Sequence, residues 1–128
     1  MKKAFKKFGV LALLVLSVAL VQSCKNKNPS VIKIFVRSPS NDLVEGAKVV
    51  IIGDLSSNPA TQAYVDTVIT NGSGFAYFNV QPYYDAAGEE DNPIGFFDIV
   101  VKTATKTAHG YIRSRVHTTA VETVFLPN

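Results

Sequence analysis

The side chains that could do chemistry in this 128-residue chain are few. Cys24 is the only cysteine, so the chain has one thiol and no internal disulfide. His109 and His117 are the only histidines, too few for a histidine-rich zinc site. No nucleophile elbow or phosphate-binding loop accompanies them. The sequence therefore predicts a protein that is not an enzyme, with no cofactor and no metal.

Tyrosines and carboxylates concentrate in the stretch between Gln81 and Phe97. Its tyrosines, with Phe96 and Phe97 later, could border an aromatic platform for a sugar or a peptide, although core packing is the alternative. Its carboxylates could meet a calcium ion, although their spacing does not match an EF-hand and a solvated loop is the alternative. The possible ligand-binding residues are Tyr83, Tyr84, Asp85, Glu89, Glu90 and Asp91.

Residues 1–23 have the three parts of an export leader. A positive region comes first, and an apolar run follows from Val10 to Val21. This run of about a dozen residues falls short of the ~20 that a membrane-spanning helix needs. Gln22 and Ser23 then end it. A cleaved signal peptide is therefore predicted, not a permanent transmembrane helix.

The segment Val21-Gln22-Ser23-Cys24 resembles a bacterial lipobox, in which a branched apolar, a variable and a small residue precede a cysteine. The resemblance implies cleavage between Ser23 and Cys24, a diacylglycerol thioether on Cys24, and commonly a further fatty acid such as palmitate on its nitrogen. Two acyl chains give stable membrane attachment, whereas one is marginal. An ordinary signal peptide with an incidental cysteine is the alternative.

The residues after Cys24 bear on tethering and sorting. Residues 24–30 comprise this cysteine and a polar stretch without apolar side chains, which predicts a flexible tether. Lys25 stands where an aspartate favours inner-membrane retention in enteric lipoproteins, which this chain loosely resembles. The outer membrane is therefore the predicted location, and both periplasmic and surface-facing orientations stay open.

Cleavage would change the charge balance of the chain. The precursor carries 13 basic and 10 acidic residues, a formal charge of +3. Four of the basic residues are leader lysines and all ten acids follow Cys24, so nine basic residues and a formal charge of −1 remain. The mature sequence has no basic stripe, so nucleic acid is not a predicted partner.

The remainder, residues 31–128, shows the period-two pattern of short β-strands. Phe97, Ile99 and Val101 are predicted to face one side of their strand. The turn residues 71–74 predict a tight hairpin between the strands around them, and residues 81–95 predict an irregular loop without a helix. The fold class is all-β. About seven strands predict a small antiparallel β-sandwich, prealbumin-like or immunoglobulin-like, with a barrel as the alternative.

Two segments carry a resemblance to a known family. Gly46-Ala47 precedes alternating Val49 and Ile51, and residues 70–74 lead into an aromatic strand at 75–80. In this order they are similar to carboxypeptidase regulatory-like and transthyretin-like β-sandwich modules. The long segment 83–95 departs from the compact turn of that family. The resemblance implies a non-catalytic folding or interaction unit.

These features together predict a lipid-anchored interaction or structural module of the cell envelope. Its partners would be the membrane, through the lipid, and an envelope protein. The alternative is a carbohydrate- or peptide-binding lipoprotein that uses the 81–97 region.

The substitution Cys24→Ser should abolish membrane anchoring, because Cys24 alone can form the thioether to lipid. We expect an unlipidated, leader-bearing precursor, while a chain of residues 25–128 remains soluble and β-rich. Fatty-acid labelling with mass spectrometry of the amino-terminal peptide measures the first result, and circular dichroism the second. An unmodified Cys24 in the mature wild-type protein would contradict the anchor.

Overall fold

The structure is a computed structural model that describes residues 28–128. The predicted leader, its cleavage at Ser23–Cys24 and the lipidation of Cys24 lie outside these residues. The described chain forms seven strands and one helix: β1 Val31–Arg37, β2 Lys48–Gly53, β3 Val65–Ile69, β4 Phe75–Asn79, α1 Gln81–Ala87, β5 Ile94–Lys102, β6 Thr107–Arg115 and β7 Thr119–Phe125.

The strands form two sheets that pack face to face as a β-sandwich. One sheet has the order β4-β1-β7 and the other the order β3-β2-β5-β6. The predicted fold class, a small all-β sandwich of about seven strands, is confirmed. One pair departs from the antiparallel expectation, because β7 runs parallel to β1 along its whole length.

The core lies between the sheets and follows the alternation of side chains along each strand. Ile32, Ile34 and Val36 of β1 are fully buried. Phe97 and its alternate neighbours Ile99 and Val101 in β5 are also fully buried, as the sequence predicted. Burial of each such side chain stabilises the fold by about 1.5–3 kcal/mol.

The turn predicted at residues 71–74 forms, but the predicted pairing of the two strands around it is wrong. The Gly74 N–H donates to the Asn71 carbonyl at 2.9 Å, and the Asn71 side chain accepts from the Ser73 N–H. However, β3 pairs with β2 while β4 pairs with β1, so this turn connects the two sheets. Turn residues specify a reversal of the chain, but strand pairing depends on distant residues that a local pattern does not contain.

The loop predicted over residues 81–95 contains helix α1 instead. Pro82 lies in its first turn, where a missing N–H costs nothing. The helix ends at Gly88, whose positive φ of 85° suits glycine and whose N–H donates to the Tyr84 carbonyl. Seven residues are too few to show a helical period, which is why the sequence predicted only a loop here.

The two ends of the sandwich differ in what they carry. At the end where the chain enters β1, which we call the tether end, lie the loop 54–64, α1 and the turn 116–118. The opposite end, called the far end, carries the loop 38–47 and the turns 70–74 and 103–106. Any group attached before residue 28 therefore joins the domain at the tether end.

Candidate functional site

The two tyrosines predicted as possible ligand-binding residues are core residues of the helix. Tyr83 is 3% exposed and Tyr84 is fully buried. The Tyr83 ring meets Phe97 edge to face at 5.3 Å, and the Tyr84 hydroxyl donates to Ser114 Oγ at 3.0 Å. Because neither ring face reaches the surface, any ligand contact in this region would depend on other side chains.

The predicted acidic residues divide into two pairs. Asp85 and Glu89 are joined by Gln81, whose Nε2 donates to Asp85 Oδ1 at 3.0 Å and to Glu89 Oε2 at 3.2 Å. Glu90 and Asp91 are exposed in the loop beyond. Within residues 28–128, no group of three or more His, Cys, Asp or Glu side chains is placed to hold a metal ion.

Ser30 closes a hydrogen-bonded network with Gln81, Glu89, His117 and Asn28, which we call the tether clasp. Ser30 is fully buried, its Oγ donates to Gln81 Oε1 at 2.7 Å, and the His117 N–H donates to this Oγ at 2.7 Å. The prediction of a flexible tether over residues 24–30 is therefore wrong for its last residue, Ser30. Ser30 is polar, as a spacer residue would be, but it is buried because these partners satisfy its hydroxyl.

His117 connects the clasp to the first described residue and adopts a left-handed backbone with φ of 59°. Its Nδ1 lies 2.6 Å from the Asn28 carbonyl oxygen, and its Nε2 lies 3.2 Å from Glu89 Oε2. Both partners are acceptors, so a protonated ring can donate to both, whereas a neutral ring can donate to only one. The Asn28 carbonyl, followed by the Glu89 carboxylate, raises the pKa of His117.

A second candidate site lies on the outer face of the four-stranded sheet. Tyr111 is 45% exposed, and its ring lies nearly parallel to that of Phe96, with centroids 6.1 Å apart and 21° between the planes. Its hydroxyl donates to Asp54 Oδ2 at 2.7 Å. We call these three residues the Tyr111 platform. An exposed ring held at both its face and its hydroxyl is ordered before any ligand arrives.

The polar residues around this platform include both acceptors and donors. Asp98 is the cross-strand partner of Tyr111, and Arg113 is the partner of Phe96. The Asp54 hydrogen bond raises the pKa of Tyr111 to about 12, so the hydroxyl keeps its proton at neutral pH. The same bond, with those from Ser56, lowers the pKa of Asp54. A flat ring bordered by hydrogen-bonding groups can stack against a sugar and bind its hydroxyls.

Sequence reasoning identified only part of this second site. Phe96 belongs to the predicted aromatic border, and the structure confirms that it faces away from the core-facing Phe97. Tyr111 lies in the region of predicted strands and is not among the possible ligand-binding residues that the sequence indicates. Its contact with Asp54 joins positions 57 residues apart, and no local sequence pattern encodes a contact at that separation. The alternation of β6, which turns Tyr111 and Arg113 outward together, was the one available signal.

The fold and these sites define a small two-sheet β-sandwich module. No protein-family model and no curated protein matches its sequence. Among solved structures, the Bacillus anthracis TIE protein is similar, with 17% identity and a TM-score of 0.51 over 79% of this chain and 17% of that one. This chain thus spans about one-sixth of that protein's length, and the similarity supports the sandwich fold.

A second solved structure that the comparison found is the A72G mutant of Acinetobacter radioresistens catechol 1,2 dioxygenase. Its identity is 10% and its TM-score 0.49, over 78% of this chain and 52% of that one.

Over the part of the chain that the structure describes, no helix has the length and apolar character to cross a membrane.

The tether clasp should make the stability of the domain depend on pH through His117. Because the pKa of His117 is raised in the folded state, its contribution is fully present below the unfolded value of about 6.5 and is lost as the pH rises through the folded value. The variant His117→Asn keeps a residue that tolerates positive φ. We expect the difference in free energy of unfolding between wild type and this variant to shrink with rising pH in urea titrations.

The matched control is His109→Asn, which changes the histidine on the outer face of β6. Glu89→Gln should reduce the pH dependence while leaving the Asn28 contact in place. The difference in free energy of unfolding between wild type and His117→Asn could instead stay constant from acidic to alkaline pH. That result would contradict a protonated His117 ring that donates to both partners.

Proposed function

We propose that this protein is a lipid-anchored, non-catalytic interaction or structural module of the cell envelope. The tether clasp is the observation that carries the proposal. Asn28 and Ser30 are bound to the domain only four and six residues after Cys24, so a lipid on that cysteine would hold the tether end close to the membrane. The resemblance of 21–24 to a lipobox supports the lipid, and Lys25 after it supports the outer membrane.

The far end supplies the surface for a protein partner. The β1–β2 loop presents Leu43, which is 51% exposed and packs its Cβ and Cδ2 over Gly74 of the neighbouring turn. Around Leu43 the loop is polar, with Asn41, Asp42 and Glu45 exposed. An apolar side chain in a polar rim is the usual composition of a small protein-binding surface. A role as a carboxypeptidase regulatory-like module is proposed on the sequence resemblance.

A photo-crosslinking residue at Ser40 or Ser73, both exposed at the far end, should capture the same envelope protein in intact cells. We expect this adduct because the clasp directs these loops away from the anchored end. The matched control is Pro59, an exposed position in the loop at the tether end. Mass spectrometry of the adducts identifies the partner.

Leu43→Ala should reduce the yield of that adduct without changing the membrane fraction of the protein. Recovery of no reproducible adduct at either far-end position, in cells that contain the anchored protein, would count against the interaction role.

Carbohydrate binding is a second candidate function, and the Tyr111 platform is the observation that favours it. The ring is exposed, supported by Phe96 and fixed by Asp54, and Asp98 and Arg113 offer an acceptor and a donor beside it. The proposed sugar site is therefore the outer face of β5 and β6, and it does not use the buried Tyr83 and Tyr84.

Tyr111→Ala should weaken binding to a glycan about tenfold, since loss of a stacked ring costs on the order of 1 kcal/mol or more. Tyr111→Phe should have a smaller effect, because it keeps the ring but loses the Asp54 hydrogen bond. A glycan array followed by calorimetry measures both. The control is Tyr77→Ala, which removes an exposed tyrosine from the other sheet. Equal affinities for the Tyr111 and Tyr77 variants, or no glycan bound by wild type, would remove this function.

A further inference from the structure

The outer face of the three-stranded sheet carries an apolar and aromatic surface, which we call the β1 face. Tyr77 is 51% exposed, and Val121 and Phe125 are each 55% exposed. Phe35 and Phe75 lie half-buried between them with ring centroids 5.4 Å apart. The register places Tyr77 and Val121 on either side of Lys33, so the surface crosses all three strands.

The charges on this face are all positive. Lys33 Nζ lies 4.1 Å from the centre of the Phe75 ring, and Arg37 Cζ lies 6.0 Å from the centre of the Phe35 ring. No acidic residue points outward from the three strands, because their one carboxylate, Glu122, alternates with Val121 and Thr123 and lies on the inward side. Cations above aromatic rings suit the boundary between lipid headgroups and acyl chains.

The charged residues at the tether end are mainly acidic. Asp85, Glu89, Glu90 and Asp91 all lie in or directly after α1. A domain standing on this end would bring four carboxylates towards the negative surface of a membrane that contains anionic lipid. A domain lying on the β1 face would instead bring Lys33 and Arg37 to that surface. The charge distribution therefore favours the lying orientation.

The length of the tether permits this orientation. Cys24 precedes Asn28 by four residues, which span at most about 14 Å when fully extended. The chain then enters β1, the central strand of the face, at Val31. A lipid on Cys24 would therefore keep the β1 face within reach of the headgroups.

We propose that the β1 face lies on an anionic lipid surface, the one in which Cys24 is anchored. This inference rests on the proposed lipid anchor. The two faces of the sandwich then have different surroundings. The sheet β4-β1-β7 contacts headgroups, and the outer face of the other sheet, with the Tyr111 platform, is turned towards the aqueous side.

The test uses the full lipidated protein in vesicles, with a polarity-sensitive dye on one new cysteine. Thr123→Cys places the dye on the β1 face, opposite Phe35, and Thr67→Cys places it on the outer face of the other sheet. In phosphatidylcholine vesicles with about one-third phosphatidylglycerol, the dye at 123 should shift to the blue and be shielded from an aqueous quencher. The dye at 67 should stay quenchable.

Charge variants and salt then identify the cause of the shielding. Lys33→Gln with Arg37→Gln should lower the ratio of lying to upright protein about 25-fold, at about fivefold for each basic residue removed. Lys48→Gln with Lys102→Gln, a cross-strand pair exposed on the other sheet, should leave it unchanged. About 1 M salt should also abolish the shielding of the wild-type face.

Three outcomes would overturn the proposal. If the dyes at positions 123 and 67 are quenched equally in vesicles that carry the protein, the lying orientation is overturned and the lipid anchor is not. If the shielding of the dye at position 123 disappears when the protein is diluted with excess lipid, the β1 face binds a second copy of the chain and not the lipid surface. Failure of the wild-type protein to float with vesicles overturns the anchor, and the orientation with it.

Discussion

Strand β1 is hydrogen-bonded on both edges, and the rest of the domain is arranged around this double pairing. It runs antiparallel to β4 on one side and parallel to β7 on the other. Its alternate residues Ile32, Ile34 and Val36 are fully buried against the opposite sheet. Lys33, Phe35 and Arg37 lie at the centre of the β1 face. Because β1 begins directly after Ser30, the same strand also sets where the tether joins the core.

The period-two pattern of the strands was enough to predict the class of fold and much of the core. Phe97, Ile99 and Val101 show why, since a side chain two residues along a strand must return to the same face. Partners distant in sequence were beyond such reasoning. The turn at 71–74 has the chemistry of a hairpin, yet its strands join different sheets because β1 and β2 supply their partners.

The same limit applies to the candidate sites. Ser30 looked like part of a spacer because polarity and exposure usually coincide, but a buried hydroxyl is stable when Gln81 and His117 satisfy it. Tyr83 and Tyr84 looked available because they lie among acidic and turn-forming residues, and the short helix turns both rings inward. The surface tyrosine of most interest, Tyr111, depends on Asp54 from a different part of the chain.

The parallel pairing of β1 with β7 has a mechanical consequence. The two strands match from Val31↔Thr119 to Arg37↔Phe125, and both run from the tether end to the far end. A pull between a lipid before β1 and the carboxyl end of β7 would therefore slide the strands along each other and load all their hydrogen bonds at once. An antiparallel pair pulled from adjacent ends would instead break its hydrogen bonds one after another. The sandwich would therefore resist traction applied along β1 and β7, which is the direction of a pull between the proposed lipid anchor and a proposed partner at the far end.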